Sequence, residues 1–129
     1  MSKQNFSKSE VDRFIREEID TVPQLEALLL FWRRSPSHWT CHDLAEALYV
    51  SPEVAEHVLL HLISRHWIAE IPAHTGHFSL LLDAPEKEAL LAALDTIYRR
   101  DLLRISRMIH EKSSPGLRDF ARSFRIKKD

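Results

Sequence analysis

The chain has 129 residues, of which 44% are apolar and 29% charged, with a formal net charge of −1. These proportions exclude a disordered or fibrous chain and fit one globular domain large enough to bury a core. No apolar run approaches the roughly 20 residues that span a bilayer, so no membrane partner is expected.

A first helix is expected near 8–19: Ser7 and Glu10 have capping-box spacing, and Val11, Phe14, Ile15 and Ile19 follow at helical intervals. Thr21 and Gln24 repeat the box, Pro23 suits an early helical position, and Leu25, Leu28, Leu29 and Trp32 continue to Arg33-Arg34. Ser35-Pro36-Ser37 then breaks the N-terminal helical region, 8–34.

Thr40 and Asp43 open a short third helix with Leu44, Ala45 and Leu48 inward. Ser51 as cap and Pro52 as first helical residue open a fourth, whose inward face is Val54, Ala55, Val58, Leu59 and Leu62. Trp67–Ile71 and Phe78–Leu82 read as strands around Pro72–His77, where Pro72 stops the first strand and Gly76 can take a positive φ. Helix, turn, helix and β-hairpin wing over 40–82 is an arrangement often used to present one helix to a DNA groove.

Asp83 is expected to cap a long helix over 84–111, entered through Ala84-Pro85-Glu86. Its stripe of Leu90, Leu94, Ile97, Tyr98, Leu102, Ile105 and Ile109 would run ~40 Å at 1.5 Å per residue, longer than a small core can cover. A homodimer through that stripe is therefore expected. Ser113–Gly116 ends it, and Leu117, Phe120, Ala121, Phe124 and Ile126 form a last amphipathic helix within 116–126. The fold class is thus mainly α with a small β-hairpin: one domain, a winged helix-turn-helix with a long C-terminal helix.

Leu44-Ala45-Glu46-Ala47-Leu48, Ser51-Pro52, Val54, Val58-Leu59, Leu62 and Trp67-Ile68 resemble the winged helix-turn-helix core of bacterial MarR and PadR regulators. Phe14-Ile15, Val22–Leu30 and the terminus Phe120-Ala121-Arg122-Ser123-Phe124-Arg125-Ile126-Lys127-Lys128-Asp129 are similar to a family of small proteobacterial regulators with such a tail. The resemblance implies a cytoplasmic regulator of transcription that binds double-stranded DNA. A single cysteine, Cys41, and the lack of a signal-peptide core at the N-terminus fit that compartment.

The residues themselves distribute charge against a simple DNA reading. Residues 1–60 hold six Lys/Arg against ten Asp/Glu, and 40–66 hold one against four. Residues 112–129 hold six against two, so a polyanion would meet the tail first. Projecting the fourth helix inward leaves Glu53, His57, Leu60 and Ser64 outward, with Glu56 and His61 on the flanks. The expected DNA contacts are Ser51, Glu53, His57, His61, Ser64 and Arg65 on the reading helix and His74, Thr75 and His77 on the wing. Arg118, Arg122, Arg125, Lys127 and Lys128 would bind backbone phosphates. The rival expectation is a winged helix that binds a protein partner through an acidic face bearing Leu60, with no DNA activity.

Eight histidines include the pairs His57/His61, His38/His42 and His74/His77 at three- or four-residue spacing. No Cys-x-x-Cys or His-Glu-x-x-His motif completes a metal set, and no Gly-rich phosphate loop or nucleophile motif is present. No metal, cofactor or enzymatic activity is therefore expected. A milder expectation is that protonation of His57 and His61 offsets the charge of Glu53 and Glu56.

Overall fold

The computed structural model describes residues 6–112. Over that span the chain is mainly helical with one two-stranded antiparallel sheet, in the order α1 (Lys8–Glu18), α2 (Val22–Arg33), α3 (Cys41–Leu48), α4 (Pro52–Ser64), β1 (Ile68–Glu70), β2 (Phe78–Leu80) and α5 (Pro85–Arg100). A further helix, α6, occupies 102–112.

Local hydrogen bonding sets the helix starts. Both capping boxes form, Ser7 with Glu10 and Thr21 with Gln24, each satisfying donors that a helix start leaves free. The Thr40 and Ser51 hydroxyls accept from Asp43 N and Val54 N at 3.1 and 3.2 Å. Asp83 does not cap α5: the N-cap is Ala84, without a side-chain bond, and the Asp83 carboxylate instead binds Lys87 Nζ at 2.8 Å.

Left-handed residues end α3 and α4. Beyond α4, His66 takes φ 65°, while Trp67 N–H donates to Leu62 O at 2.9 Å and His66 N–H to Ile63 O at 3.0 Å. These bonds satisfy orphan carbonyls and turn the chain into β1. Tyr49, at φ 58°, ends α3 in the same way through Val50 N–H and Ala45 O.

α2 is the central element, packing on α3, α4, α5 and β2. Leu25, Ala27, Leu28, Leu29 and Phe31 of α2 are buried together with Leu44 of α3, Val58, Leu59 and Leu62 of α4, and Leu91 and Leu94 of α5. At roughly 1.5–3 kcal/mol for each large side chain, that burial offsets much of the cost of ordering the chain. Val54, placed inward by periodicity, is instead 41% exposed because the contact face of α4 centres on Ala55, Val58, Leu59 and Leu62.

The β-strands are shorter than their sequence signals. Their register pairs Ile68 with Leu80, Ala69 with Ser79 and Glu70 with Phe78. An isolated bridge adds Trp39 beside Phe78, each N–H donating to the other's carbonyl at 2.9 Å. The segment between α2 and α3 therefore lies as a third, one-residue strand on the hairpin.

The long helix expected over 84–111 is broken. Asp101 takes φ −121° and ψ 40°, closing α5, and its carbonyl accepts Ile105 N–H at 2.9 Å as α6 begins. Ion pairs Lys8–Asp101 (3.6 Å), Asp12–Arg104 (2.9 Å) and Asp20–Lys112 (3.0 Å) then bind α6 to α1 and its C-terminal flank, in parallel register. The bend folds the apolar stripe back on its own chain. Leu94, Tyr98, Ile105 and Ile109, expected at a dimer interface, are buried within the single chain. Leu90 and Ile97 are partly covered, leaving Leu102 and its neighbour Leu103 as the exposed apolar residues of this region.

Candidate nucleic-acid or protein interface

The outward face of α3 and α4 is where the sequence placed its reading surface. Ser51, Glu53, Glu56, His57, Leu60 and Ser64 are all exposed there, Leu60 by 57%. Tyr49 stands 95% exposed between the two helices. The exposed residues of α3, α4 and the turn between them include Asp43, Glu46, Glu53 and Glu56 and three apolar groups, Tyr49, Val54 and Leu60.

Several expected contacts are already engaged. The Ser51 hydroxyl caps α4, and the Ser64 hydroxyl donates to His61 O at 2.7 Å. Arg65, the one fixed cation of the 40–66 segment, lies 3.9 Å from Glu18.

His61 is not a surface ligand. Its side chain is 13% exposed, and its Nε2–H donates to Glu18 O at 2.7 Å, with Asp20 3.9 Å from Nδ1. This histidine covers the last turn of α1, where helical carbonyls lack partners, and so ties α1 to α4. His57 and His61 therefore do not act as a pair facing solvent. Nor do His38 and His42: His42 sits 3.2 Å from Glu46 on the exposed side of α3.

The wing is tightly built. Ile71 N–H donates to His77 O at 2.8 Å, His74 N–H to Ile71 O at 3.0 Å and His77 N–H to His74 O at 3.0 Å. Gly76, at φ 84°, turns its N–H onto the Glu70 carboxylate at 2.7 Å. His74 and Thr75 project into solvent, while His77 is partly buried. The rings of His74 and His77 are 5.7 Å apart, and His38 joins them from the bridge segment at 6.0 and 5.6 Å.

Sequence spacing did not single out Lys87 or the partner of Cys41. Lys87 Nζ lies 4.9 Å from the centre of the Trp67 ring, pairs with Asp83 and donates to His66 O and Leu81 O. It thereby locks the end of α4 to the strand exit. Cys41 Sγ–H donates to Pro52 O at 3.6 Å, joining the N-terminal ends of α3 and α4. Burial pushes the Cys41 thiol above its ordinary value and Glu56 adds to the shift, which keeps the sulfur protonated rather than nucleophilic.

Several basic residues elsewhere are engaged within the fold, while Arg16, Arg100 and Arg107 are exposed. Arg33 and Arg99 share Asp95 at 2.6 and 3.2 Å, Arg104 binds Asp12 and Asp101, and Arg34 lies over the Trp39 ring. Arg118, Arg122, Arg125, Lys127 and Lys128, with the expected helix over 116–126, lie outside the described residues. No described helix is long and apolar enough to cross a membrane. Comparison with protein-family models, curated proteins and solved structures returns no match.

Proposed function

We propose that the chain is a winged helix-turn-helix regulator of transcription that binds duplex DNA, with α4 as the reading helix and residues 71–77 as the wing. The observation that carries the proposal is the order of elements. α2, the Trp39 bridge, α3, a short turn, α4 and the β1–β2 hairpin leave one face of α4 and the hairpin tip free in solvent.

The electrostatics assign the parts different roles. Phosphate contacts supply much of DNA affinity, and Glu53 and Glu56 work against them. The positive contribution falls to the tail cations Arg118, Arg122, Arg125, Lys127 and Lys128, and base discrimination to His57 and the wing residue Thr75. Glu53 can accept from a cytosine amino group, and Leu60 can touch a thymine methyl. Self-association, if the regulator is dimeric, has Leu102 and Leu103 available in the α5–α6 region.

A second reading has its own support. Leu60 is 57% exposed on the same side of α4 as Glu53 and Glu56, as an acidic protein-docking face would require. A mobility shift with random duplex DNA separates the two. Under the DNA reading, Arg122→Glu with Arg125→Glu removes most of the affinity, and His57→Ala changes sequence preference. Unchanged shifts in both variants would refute the assigned surfaces.

A further inference from the structure

We propose that His38, His74 and His77 form a site for a divalent transition-metal ion, zinc(II) foremost, at the base of the wing. The three rings come from segments up to 39 residues apart in sequence, yet every pair of ring centres lies within 6.0 Å. An ion ~2.0–2.1 Å from an imidazole nitrogen sits roughly 3.2 Å from that ring's centre, so tetrahedral ligands place ring centres ~5.2 Å apart. The observed separations of 5.6, 5.7 and 6.0 Å are each within an ångström of that value, but the His38 and His74 rings lie stacked at 20° and must turn to aim their nitrogens at one ion.

The backbone beneath the rings is already fixed. The mutual Trp39–Phe78 hydrogen bonds flank His38 and His77, and the bonds from His74 N–H to Ile71 O and from His77 N–H to His74 O hold the turn. A metal would therefore order side chains rather than a loop, which lowers the entropy cost of binding. His77 Nδ1 is buried and makes no hydrogen bond among the described residues. That nitrogen has given up water without replacement, a cost that coordination would remove.

Ring rotation completes the site. Among the described residues, the trio whose ligand atoms already converge within 4.8 Å is His42, Asp43 and Glu46, on one exposed face of α3. The 3.2 Å contact between His42 Nε2 and the Glu46 carboxylate accounts for that convergence. His38 and His74 are exposed, so their rings can turn toward a shared ion without disturbing the core. Three neutral imidazoles suit Zn(II), Cu(II) or Ni(II) rather than Mg(II) or Ca(II), and three ligands leave a fourth position for water. The site does not depend on the DNA reading.

The test is a cobalt(II) titration of the full chain, followed by displacement with zinc(II). The proposal expects one ion per chain with the visible absorption of tetrahedral cobalt, bleached by zinc. His38→Gln and His74→Gln, both surface changes, should each weaken binding at least ~10-fold, since even outer-shell changes at metal sites cost that much. His42→Gln should leave the affinity unchanged. Absence of the tetrahedral spectrum, equal affinity in the His38 and His74 variants, or loss of binding in His42→Gln would each overturn the proposal.

Discussion

Ile105→Ala examines the broken-helix architecture directly. Ile105 is fully buried and follows Asp101 by one turn, where Arg104 anchors α6 to Asp12 of α1. Truncating such an isoleucine to alanine costs about 2–5 kcal/mol, the lost transfer energy plus the cavity left behind. With a loss of about 3 kcal/mol and a urea slope of about 2 kcal/mol per molar, the unfolding midpoint should fall by about 1.5 M. Leu103→Ala, two residues earlier and 76% exposed, should change stability by no more than about 0.5 kcal/mol. Equilibrium urea unfolding, followed by tryptophan emission at protein concentrations a hundredfold apart, measures both effects. If the stripe packs within one chain, the Ile105→Ala loss is the same at both concentrations. If the stripe instead joins two chains, apparent stability should move by about 2.7 kcal/mol over that range. A small loss for Ile105→Ala, or a strong concentration dependence, would refute the intramolecular account.

Tyr98 and His66 provide two further checks. Burial, aided by the Glu26 carboxylate 3.1 Å from its hydroxyl, pushes the Tyr98 phenol up from 10.0 to about 12. A raised folded value means that its stabilising contribution is intact below pH ~10 and is lost as pH rises toward 12. Spectrophotometric titration should show a late phenolate step that Tyr98→Phe abolishes, and its persistence in that variant would contradict the assignment. His66→Gly should raise stability by about 1 kcal/mol, because a left-handed backbone at φ 65° costs a β-carbon roughly that much. A lowered thermal midpoint in that variant would show that the imidazole contributes more than the strain costs.

The readable parts of this fold were those governed by bonds within a few residues. Ser7/Glu10, Thr21/Gln24, Thr40/Asp43 and Ser51 announced helix starts because a cap spans only two or three positions. Pro72 and Gly76 likewise bounded the hairpin turn. The break at Asp101 carried no such mark. Apolar periodicity runs through it from Ile97 to Ile105 without glycine or proline, while partners on α1, Lys8 and Asp12, bind the bend residue Asp101 and Arg104 just beyond it. Asp83 failed as a cap because Lys87, four residues on, claims its carboxylate.

The candidate surface divides along the same line. The outward placement of Glu53, His57 and Leu60 followed from helical spacing and holds in the structure. His61 was placed on the flank of that face, yet the carbonyl it serves belongs to Glu18, 43 residues earlier. The approach of His38 to the wing required the Trp39–Phe78 bridge, a one-residue pairing with no sequence signal of its own.

The salt dependence of binding to duplex DNA tests the regulator assignment most directly. With the five cations of 118–128 each meeting a phosphate, affinity should fall about 500-fold between 50 and 200 mM monovalent salt, from a log–log slope near −4.5. Duplex DNA left unbound at the lower salt, or held with an affinity indifferent to salt, would contradict the assignment and favour the protein-docking reading of the acidic α3–α4 face.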